Sequence, residues 1–439
     1  MRNLKDMQVV VLMGGLGTRL KDYTKQCPKS LVKVNDVPFF DYQLDLLMAW
    51  GFKKFLFLIG YHAEMIEEYY GDGSSEGISI KYCYDGEKLL GTGGAVRRAY
   101  EYLEDDFILI YGDSFMDIDY AETVYRFEMG KRHGAKALMT VLRNNNCFDK
   151  SNVVMRGREL VLYDKHHPTP EMDYIDYGVC VYEKSLFEDY EPDTAFDIAE
   201  IQNRLSLEGK LVPQIVTKRF YEIGSPASLA EFSGYARHRF LESHPAIFLD
   251  RDGVINEIVF NEDTELMDSP MSVEQYEFLP GAAEAIRIFK EKGYYVFVVT
   301  NQPGAAKGKT TLANLYDINS YMIESLKDMG AEIDDLHMCP HFTKMLPATK
   351  EAFLIKQCDC RKPKPGLLIK ALRKYNVDLS GSYMVGDSCT DVEAGAAIGI
   401  RTVFLGSLKC DMCKKLGDLE PDIITKDILE LANALPDVK

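Results

Sequence analysis

Residues 247–256 read Ile-Phe-Leu-Asp-Arg-Asp-Gly-Val-Ile-Asn. An apolar run stops at two aspartates spaced i, i+2, and a glycine follows. Such a run suits a buried parallel strand, which puts both aspartates at its carboxyl end. The stretch lies past the midpoint of a 439-residue chain, too long for one ordinary core. Strand–helix alternation restarts from it, so it opens a second domain. We expect one domain over 1–240 and another over 245–439. Residues 232–244 read as a terminal helix with a short break at Ser243-His244-Pro245, not as a long flexible linker.

Outward from this strand, an amphipathic helix is expected over 281–292, ending at Gly293, a strand over 295–299 and a helix over 311–329. Further strands fall at 382–385 and 401–405, with a helix over 392–398 between them. This is a parallel α/β domain. Polar residues stand at successive strand ends: Asp250 and Asp252, then Thr300 and Asn301, then Asp387 and Asp391. A lone Asp-x-Asp is usually a loop. Several carboxylates converging on one sheet edge need a cation.

The pattern resembles the haloacid dehalogenase superfamily of phosphatases, with Asp-x-Asp-Gly-Val at 250–254, Val-Val-Thr-Asn at 298–301 and Gly-Asp-Ser-x-x-Asp at 386–391. The resemblance implies that Asp250 attacks phosphorus and that Asp252 protonates the leaving oxygen, then activates water. It implies Mg²⁺ on Asp250, the backbone carbonyl of Asp252 and Asp387, with Asp391 behind them or a weaker ligand. Thr300 and Asn301 would hydrogen-bond the transferring phosphate. In Cys358-Asp-Cys-Arg-Lys-Pro-Lys-Pro-Gly366, Lys362 takes the place of the family's lysine and Arg361 that of a substrate-phosphate contact; Lys364 is the second choice.

Cys339-Pro340-His341 and Cys358-Asp359-Cys360 supply three sulfurs and one imidazole, a set suited to closed tetrahedral Zn²⁺. The spacing is tighter than a zinc finger's, as for one structural ion pinning a loop. These features are similar to the zinc-containing, nearly capless group of heptose-bisphosphate and histidinol-phosphate phosphatases. Asn301-Gln302-Pro303-Gly304 to Gly308-Lys309 follows that group's pattern, while Ser388 departs from the lysine common in the heptose enzymes. Cys410 and Cys413 form a lone C-x-x-C pair, read as incidental. Cys27, Cys83, Cys147 and Cys180 read as buried thiols.

The first half opens with an apolar run, 8–13, and then Gly14-Gly15-Leu16-Gly17-Thr18-Arg19-Leu20. Glycines without side chains let backbone N–H groups approach phosphate oxygens, and Arg19 adds a planar charged fork. The dinucleotide fingerprint fails because Leu20 stands where its third glycine belongs, and no P-loop lysine follows. Helices are expected over 39–50, 63–70 and 94–103, and strands over 54–59 and 107–111, so this domain too is α/β with a mostly parallel sheet. The loop, with Pro28-Lys29, resembles the sugar-1-phosphate nucleotidyltransferase family. Further matches follow in order: Leu90-Gly91-Thr92-Gly93-Gly94-Ala95 for the base-binding turn, Gly112-Asp113 for the metal site, Asp164-Lys165 for the sugar-phosphate lysine, and Glu222-Ile223-Gly224-Ser225-Pro226 near the end.

The resemblance implies that a sugar 1-phosphate attacks the α-phosphorus of a nucleoside triphosphate. Gly14, Gly15, Gly17, Thr18, Gly91, Thr92 and Gly94 would hold the nucleotide, Arg19 and Lys29 the triphosphate, and Lys165 the acceptor. Mg²⁺ would sit on Asp113 and Glu222. The family has aspartate where Glu222 stands, so its metal site is either reshaped or weakened. His62, His133, His166 and His167 read as surface or loop residues.

A formal net charge of −17 argues against nucleic-acid partners but not against small phosphorylated ligands. No run is long enough for a membrane span, and the polar start with no signal peptide gives the expectation of a cytoplasmic protein. The sequence gives no oligomeric state. Together the halves suggest a bifunctional enzyme that dephosphorylates a heptose bisphosphate at position 7 and then activates heptose 1-phosphate with GTP. The alternatives are a transferase for another sugar 1-phosphate joined to a histidinol-phosphate-type phosphatase, or a sensing N-terminal domain beside an active phosphatase.

Overall fold

The computed structural model describes residues 2–438 except 16–19, 87, 89, 262–265 and 407–418. The chain divides into two compact units, Met1–Ala236 and Arg237–Lys439. The terminal helix expected from residue 232 begins six residues earlier, at Pro226, and ends at Ala236; a π turn over Arg237–Leu241 follows.

In the first unit, strand Gln8–Leu12 lies between the parallel strands Lys54–Ile59 and Asp106–Tyr111. Ser79–Tyr84 extends this parallel part beyond Lys54–Ile59. The chain therefore builds one side of Gln8–Leu12 and then crosses to the other. Loops after Leu12 and Tyr111 meet where strand order reverses, the usual ligand crevice of an open α/β sheet. The sequence reading did not foresee the other part of the sheet. Tyr174–Glu183 pairs antiparallel with Asp106–Tyr111 and Ala137–Arg143, and Leu211–Val216 then pairs parallel with Ala137–Arg143, so the sheet is mixed.

Helix Phe39–Trp50 has the expected bounds. Gly51 stops it at φ 98°, a backbone region open to glycine. Its buried face, with Phe40, Leu44 and Leu47, packs with Val9, Val11 and Phe57 of the sheet. Gln43 lies fully buried on the same helix. Its amide donates to Tyr120 Oη (2.9 Å) and accepts from the Met116 backbone N–H (2.7 Å).

In the second unit six described strands form a wholly parallel sheet. The order is Asp335–Cys339, Tyr295–Asn301, His244–Leu249, Val377–Gly386, Arg401–Leu405 and Ile423–Thr425. The quoted apolar run is central and begins at His244, three residues before the expected start. Ile247, Leu249, Val296 and Val298 pack on one face, and Phe248, Phe297 and Val299 on the other. Burial on both faces explains the continuous apolar runs. Strand order reverses between His244–Leu249 and Val377–Gly386. Among the described residues no helix is long and apolar enough to cross a membrane. Of the four thiols expected to be buried, Cys180 is, whereas Cys147 is exposed and Cys27 and Cys83 are intermediate.

Trp50 is the sole tryptophan of the chain and reports on the first unit. Gln43→Ala strands the Met116 N–H in the core and leaves the Tyr120 hydroxyl only its bond to the Met116 carbonyl (3.0 Å). It should cost about 2–3 kcal/mol, read as a Trp50 fluorescence transition moved to lower denaturant.

Candidate active sites

The carboxyl ends of the parallel strands in the second unit place the motif residues together. Asp250 follows Leu249 and donates its backbone N–H to the Val385 carbonyl (2.9 Å), which locks it to the neighbouring strand end. Lys362 Nζ lies 2.9 Å from Asp250 Oδ1 and 2.7 Å from Asp391 Oδ1, and donates to the Val299 carbonyl (2.7 Å). The lysine and Asp391 are buried. Burial opposes the lysine's charge, but Asp250 and Asp391 outweigh it and hold the ammonium above its ordinary pKa. Lys364 instead bonds Asp359 and the Cys358 carbonyl.

Carboxylate oxygens of Asp250, Asp387 and Asp391 lie within 4.8 Å of one another. Burial and the nearby Asp250 push Asp387 up to about 6, and burial also raises Asp391 despite Lys362. Three carboxylates facing one ammonium leave two negative charges in excess. An oxygen-lined cluster with that excess fits a hard divalent ion such as Mg²⁺. Gly253 is bound to this geometry twice over: its φ is 76°, and a Cβ there would stand 2.2 Å from Asp387 Oδ2.

Asp252 has separate partners. Its Oδ1 accepts from Arg251 Nε (3.1 Å), Arg251 Nη2 (3.0 Å) and Asn256 Nδ2 (3.0 Å), and its Oδ2 from Gln302 Nε2 (2.5 Å). Burial works against ionisation, but the Arg251 guanidinium and hydrogen bonds from Ser269, Gln302 and Asn256 bring the carboxyl below its ordinary range. Arg251, fully buried, is held by Asn319 Oδ1 (2.8 Å). Gln302 also donates to Thr300 Oγ1 (2.9 Å). The motif reading gave no role to Arg251, Asn256 or Asn319, and quoted Gln302 only as part of a pattern. Arg251, between the two aspartates, was the one with a signal, because a cation beside a buried carboxylate pairs with it.

Asn301 was expected on the transferring phosphate. Its side-chain amide is instead used both ways on Lys362, donating to that residue's carbonyl and accepting from its N–H, each at 3.0 Å. It therefore positions the lysine. Arg361 lies beside the cysteine cluster, its Nη1 3.4 Å from the His341 carbonyl.

Cys339, on strand Asp335–Cys339, meets His341, Cys358 and Cys360, with all four ligand atoms within 4.8 Å. Cys339 Sγ lies 3.7 Å from Cys358 Sγ and 3.0 Å from Cys360 Sγ, and His341 Nδ1 lies 3.2 Å from Cys360 Sγ. The thiols are free. Tetrahedral zinc with bonds of about 2.3 Å separates sulfurs by about 3.8 Å, which the Cys339–Cys358 spacing meets while Cys360 stands closer; three thiols and an imidazole are the donor chemistry of such an ion.

In the first unit, Lys29 Nζ is 2.5 Å from Asp113 Oδ2 and 3.6 Å from Glu222 Oε1. Glu222 pairs with Ser114 in a short antiparallel ladder, and Ile223 N–H donates to the Asp113 carbonyl (3.0 Å). One cation thus lies within reach of both carboxylates, so the longer glutamate side chain still reaches the common point. Lys165 Nζ bonds Asp197 Oδ2 (2.7 Å), whose Oδ1 accepts from Thr92 Oγ1 (2.9 Å). Gly91 and Gly94 were expected against a nucleotide. A Cβ at Gly91 would meet the Phe196 carbonyl at 2.6 Å and one at Gly94 the Thr194 carbonyl at 2.5 Å. These glycines, with Thr92, admit the segment 194–198 that carries Asp197.

Gly14 and Gly60 leave room for Asp85, which follows strand Ser79–Tyr84; a Cβ at Gly14 would stand 1.9 Å from Asp85 Oδ2. This carboxylate is buried and has no hydrogen-bond partner among the described residues; burial raises its pKa. It too was missed. Gly15 has nothing within 4 Å of a Cβ position. Gly17, Thr18, Arg19, Cys410 and Cys413 lie outside the described residues. His133, His166 and His167 are exposed and His62 is half-buried.

Two phosphate-handling centres at two sheet-reversal points define an enzyme with a nucleotidyltransferase unit and a phosphatase unit. The family description "Nucleotidyl transferase" matches residues 8–236, and "HAD-hydrolase-like" matches 359–431. The chain belongs to the nucleotidyl transferase family through its first unit, and its second is a HAD-type domain homologous to heptose bisphosphate phosphatases. It is 39% identical over 156 residues to the D-glycero-beta-D-manno-heptose-1,7-bisphosphate 7-phosphatase of Rhodopseudomonas palustris, covering 36% of this chain and 80% of that protein. The Salmonella typhi enzyme of that name is 41% identical over 164 residues, 37% of this chain and 81% of that protein. The crystal structure of HddC from Yersinia pseudotuberculosis complexed with GMP-PN is 23% identical, covering 52% of this chain and 99% of that chain, with a TM-score of 0.43.

A carboxyl whose native pKa is raised gains stability as pH falls through that pKa and loses it as pH rises. For Asp387 the window runs from about 4, the unfolded value, to about 6. Mg²⁺ needs the ionised form. Its stabilisation of the protein, measured as the rise in Tm at saturating Mg²⁺, should be largest at pH 7 to 8 and shrink as pH falls below about 6.

Proposed function

We propose that this chain catalyses two successive steps in making a nucleotide-activated heptose. The second unit would hydrolyse the 7-phosphate of D-glycero-D-manno-heptose 1,7-bisphosphate. The first unit would transfer a guanylyl group from GTP to the resulting heptose 1-phosphate, releasing pyrophosphate. The observation that carries the phosphatase reading is the buried Lys362 held against Asp250 beside the Asp387–Asp391 cluster. Its substrate is that named for the curated relatives.

In the phosphatase, a carboxylate oxygen of Asp250 attacks phosphorus as the bond to the sugar oxygen breaks. Asp252 gives its proton to that oxygen. Asp252 then takes a proton from water, which attacks the aspartyl-phosphate, freeing phosphate and restoring Asp250. Arg251 keeps Asp252 ionised at rest, ready as the base of the second step; the negative phosphoryl group arriving nearby favours its protonated form for the first. Lys362 and Thr300 face the charge on the transferring group, and Asn301 and Gln302 hold them in place. Asp250, Asp387 and the Asp252 carbonyl would hold Mg²⁺, which supplies charge neutralisation when bound. Cys339, His341, Cys358 and Cys360 would hold Zn²⁺ as a structural ion, with no position left for water.

In the transferase, the acceptor phosphate is already ionised near neutral pH, so no general base is required. Arg19 and Lys29 would neutralise the triphosphate, Lys165 would anchor the sugar phosphate, and Asp113 with Glu222 would hold Mg²⁺. Glu222 and Asp113 sharing one ammonium supports a catalytic unit over a sensing one. Asp85 supports guanine. A carboxylate can accept both N1–H and N2–H of a guanine edge, an arrangement no other common base offers. The eight described cysteines are free, which supports a reducing, cytoplasmic setting.

Asp250→Asn should abolish phosphate release from the bisphosphate while pyrophosphate release from GTP and heptose 1-phosphate continues. No pyrophosphate release from any pairing of nucleoside triphosphate and sugar 1-phosphate would refute the transferase reading. Asp85→Asn should lower kcat/KM for GTP by about ten- to hundred-fold, with little change for UTP; an equal loss for both would remove Asp85 from base selection.

A further inference from the structure

The second unit begins with a turn that neither active site uses. His238 lies in the π turn Arg237–Leu241, and Glu242 and His244 follow. Glu242 N–H donates to the Arg237 carbonyl (2.9 Å), a five-residue spacing that widens the turn and puts His238 and Glu242 on one side. His238 Nδ1 lies 3.6 Å and His244 Nε2 3.7 Å from the same oxygen, Glu242 Oε2. Both distances exceed a hydrogen bond. They approach the spacing of about 3.4 Å between ligand atoms bound near 2.1 Å on one tetrahedral ion. His244 Nε2 is buried without a hydrogen-bond partner. The two rings lie 4.4 Å apart, centre to centre.

The turn is also held in place before any ligand arrives. Asn376 bonds it three times: its N–H donates to the Arg239 carbonyl (3.0 Å), its side chain to the Leu241 carbonyl (3.0 Å), and its carbonyl accepts from His244 N–H (3.3 Å). Tyr295 Oη donates to the His238 carbonyl (2.6 Å). Lys290, whose charge acts on His238, is neutralised by both oxygens of Asp334, so it does not fill the place of a cation.

We propose that His238, Glu242 and His244 form a second transition-metal site, taking a borderline divalent ion such as Zn²⁺ and leaving coordination open to water or an exogenous ligand. Two imidazoles and a carboxylate suit zinc, copper or nickel better than magnesium. The site is separate from the cysteine cluster in residues and in donor chemistry. With His238 and Glu242 about half exposed, it binds more weakly than the closed cysteine set and exchanges its ion freely.

The test uses the full-length, untagged chain, with excess Mg²⁺ to saturate the carboxylate clusters. Zn²⁺ is titrated and counted by native mass spectrometry and calorimetry. The wild type should take up two zinc ions per chain, one tight and one weaker. The double variant His238→Gln, Glu242→Gln should retain the tight ion, lose the weaker one and keep full phosphate release, which shows that it is folded. A wild type that takes up no ion beyond the tight one overturns the proposal. So does a folded double variant that binds the weaker ion as the wild type does. The single variant Cys360→Ser gives an independent check: it should lose the tight ion and keep the weaker.

Discussion

An ammonium with almost no access to water organises the second unit. Lys362 can remain charged only because two carboxylates and a carbonyl surround it, and each comes from a different element. A buried charge without such partners would cost more than the domain could bear. Asp250 must therefore follow the central strand, Asp391 must open the helix Cys389–Ala396, and the Val299 carbonyl must face inward. Asn301 then fixes the backbone of the lysine. The first unit solves a similar problem with Lys29 between Asp113 and Glu222, although there the charges are partly open to solvent. In both, an amine marks the point where carboxylates converge, and that point lies at a reversal of strand order.

Much of this was legible because apolar runs end where chemistry begins. The helices over Phe39–Trp50 and Ala63–Tyr70 and the strand Lys54–Ile59 have the bounds that periodicity implies. The strand-end aspartates are visible for the same reason. The antiparallel part of the first sheet was not, because Tyr174–Glu183 changes from alternating half-buried and buried positions to a continuously buried run, and Asp176 and Gly178 interrupt its apolar residues. Gln302 and Asn319 were hidden by distance: each satisfies a buried polar group brought close only by folding, whereas Asn256 stands four residues from the Asp252 it bonds. The glycines of the base-binding turn show another limit. A glycine in sequence announces a close approach but not what approaches, and at Gly91 and Gly94 it is the chain itself.

Two departures from motif look different in three dimensions. Glutamate at 222 adds a methylene, yet the ladder with Ser114 places its carboxylate by the ammonium that Asp113 also holds. Ser388, where the heptose enzymes commonly have lysine, caps the following helix by accepting from Thr390 N–H while Asp391 bonds back to the Ser388 N–H. That capping box fixes Asp391, the second carboxylate on Lys362. A change that seemed to weaken the resemblance thus steadies the buried charge.

Cys360 stands two positions before Lys362. Two residues of chain reach at most about 7 Å, so the sulfur cluster and the buried ammonium form one mechanical piece. Oxidising a thiol, or stripping an ion from it, would reach the aspartates as a displaced positive charge and not as slack in a remote loop. The phosphatase centre thereby carries a chemical vulnerability of its own. The Lys29 centre, with no sulfur among its described neighbours in sequence beyond the intermediate Cys27, is not built around such a cluster.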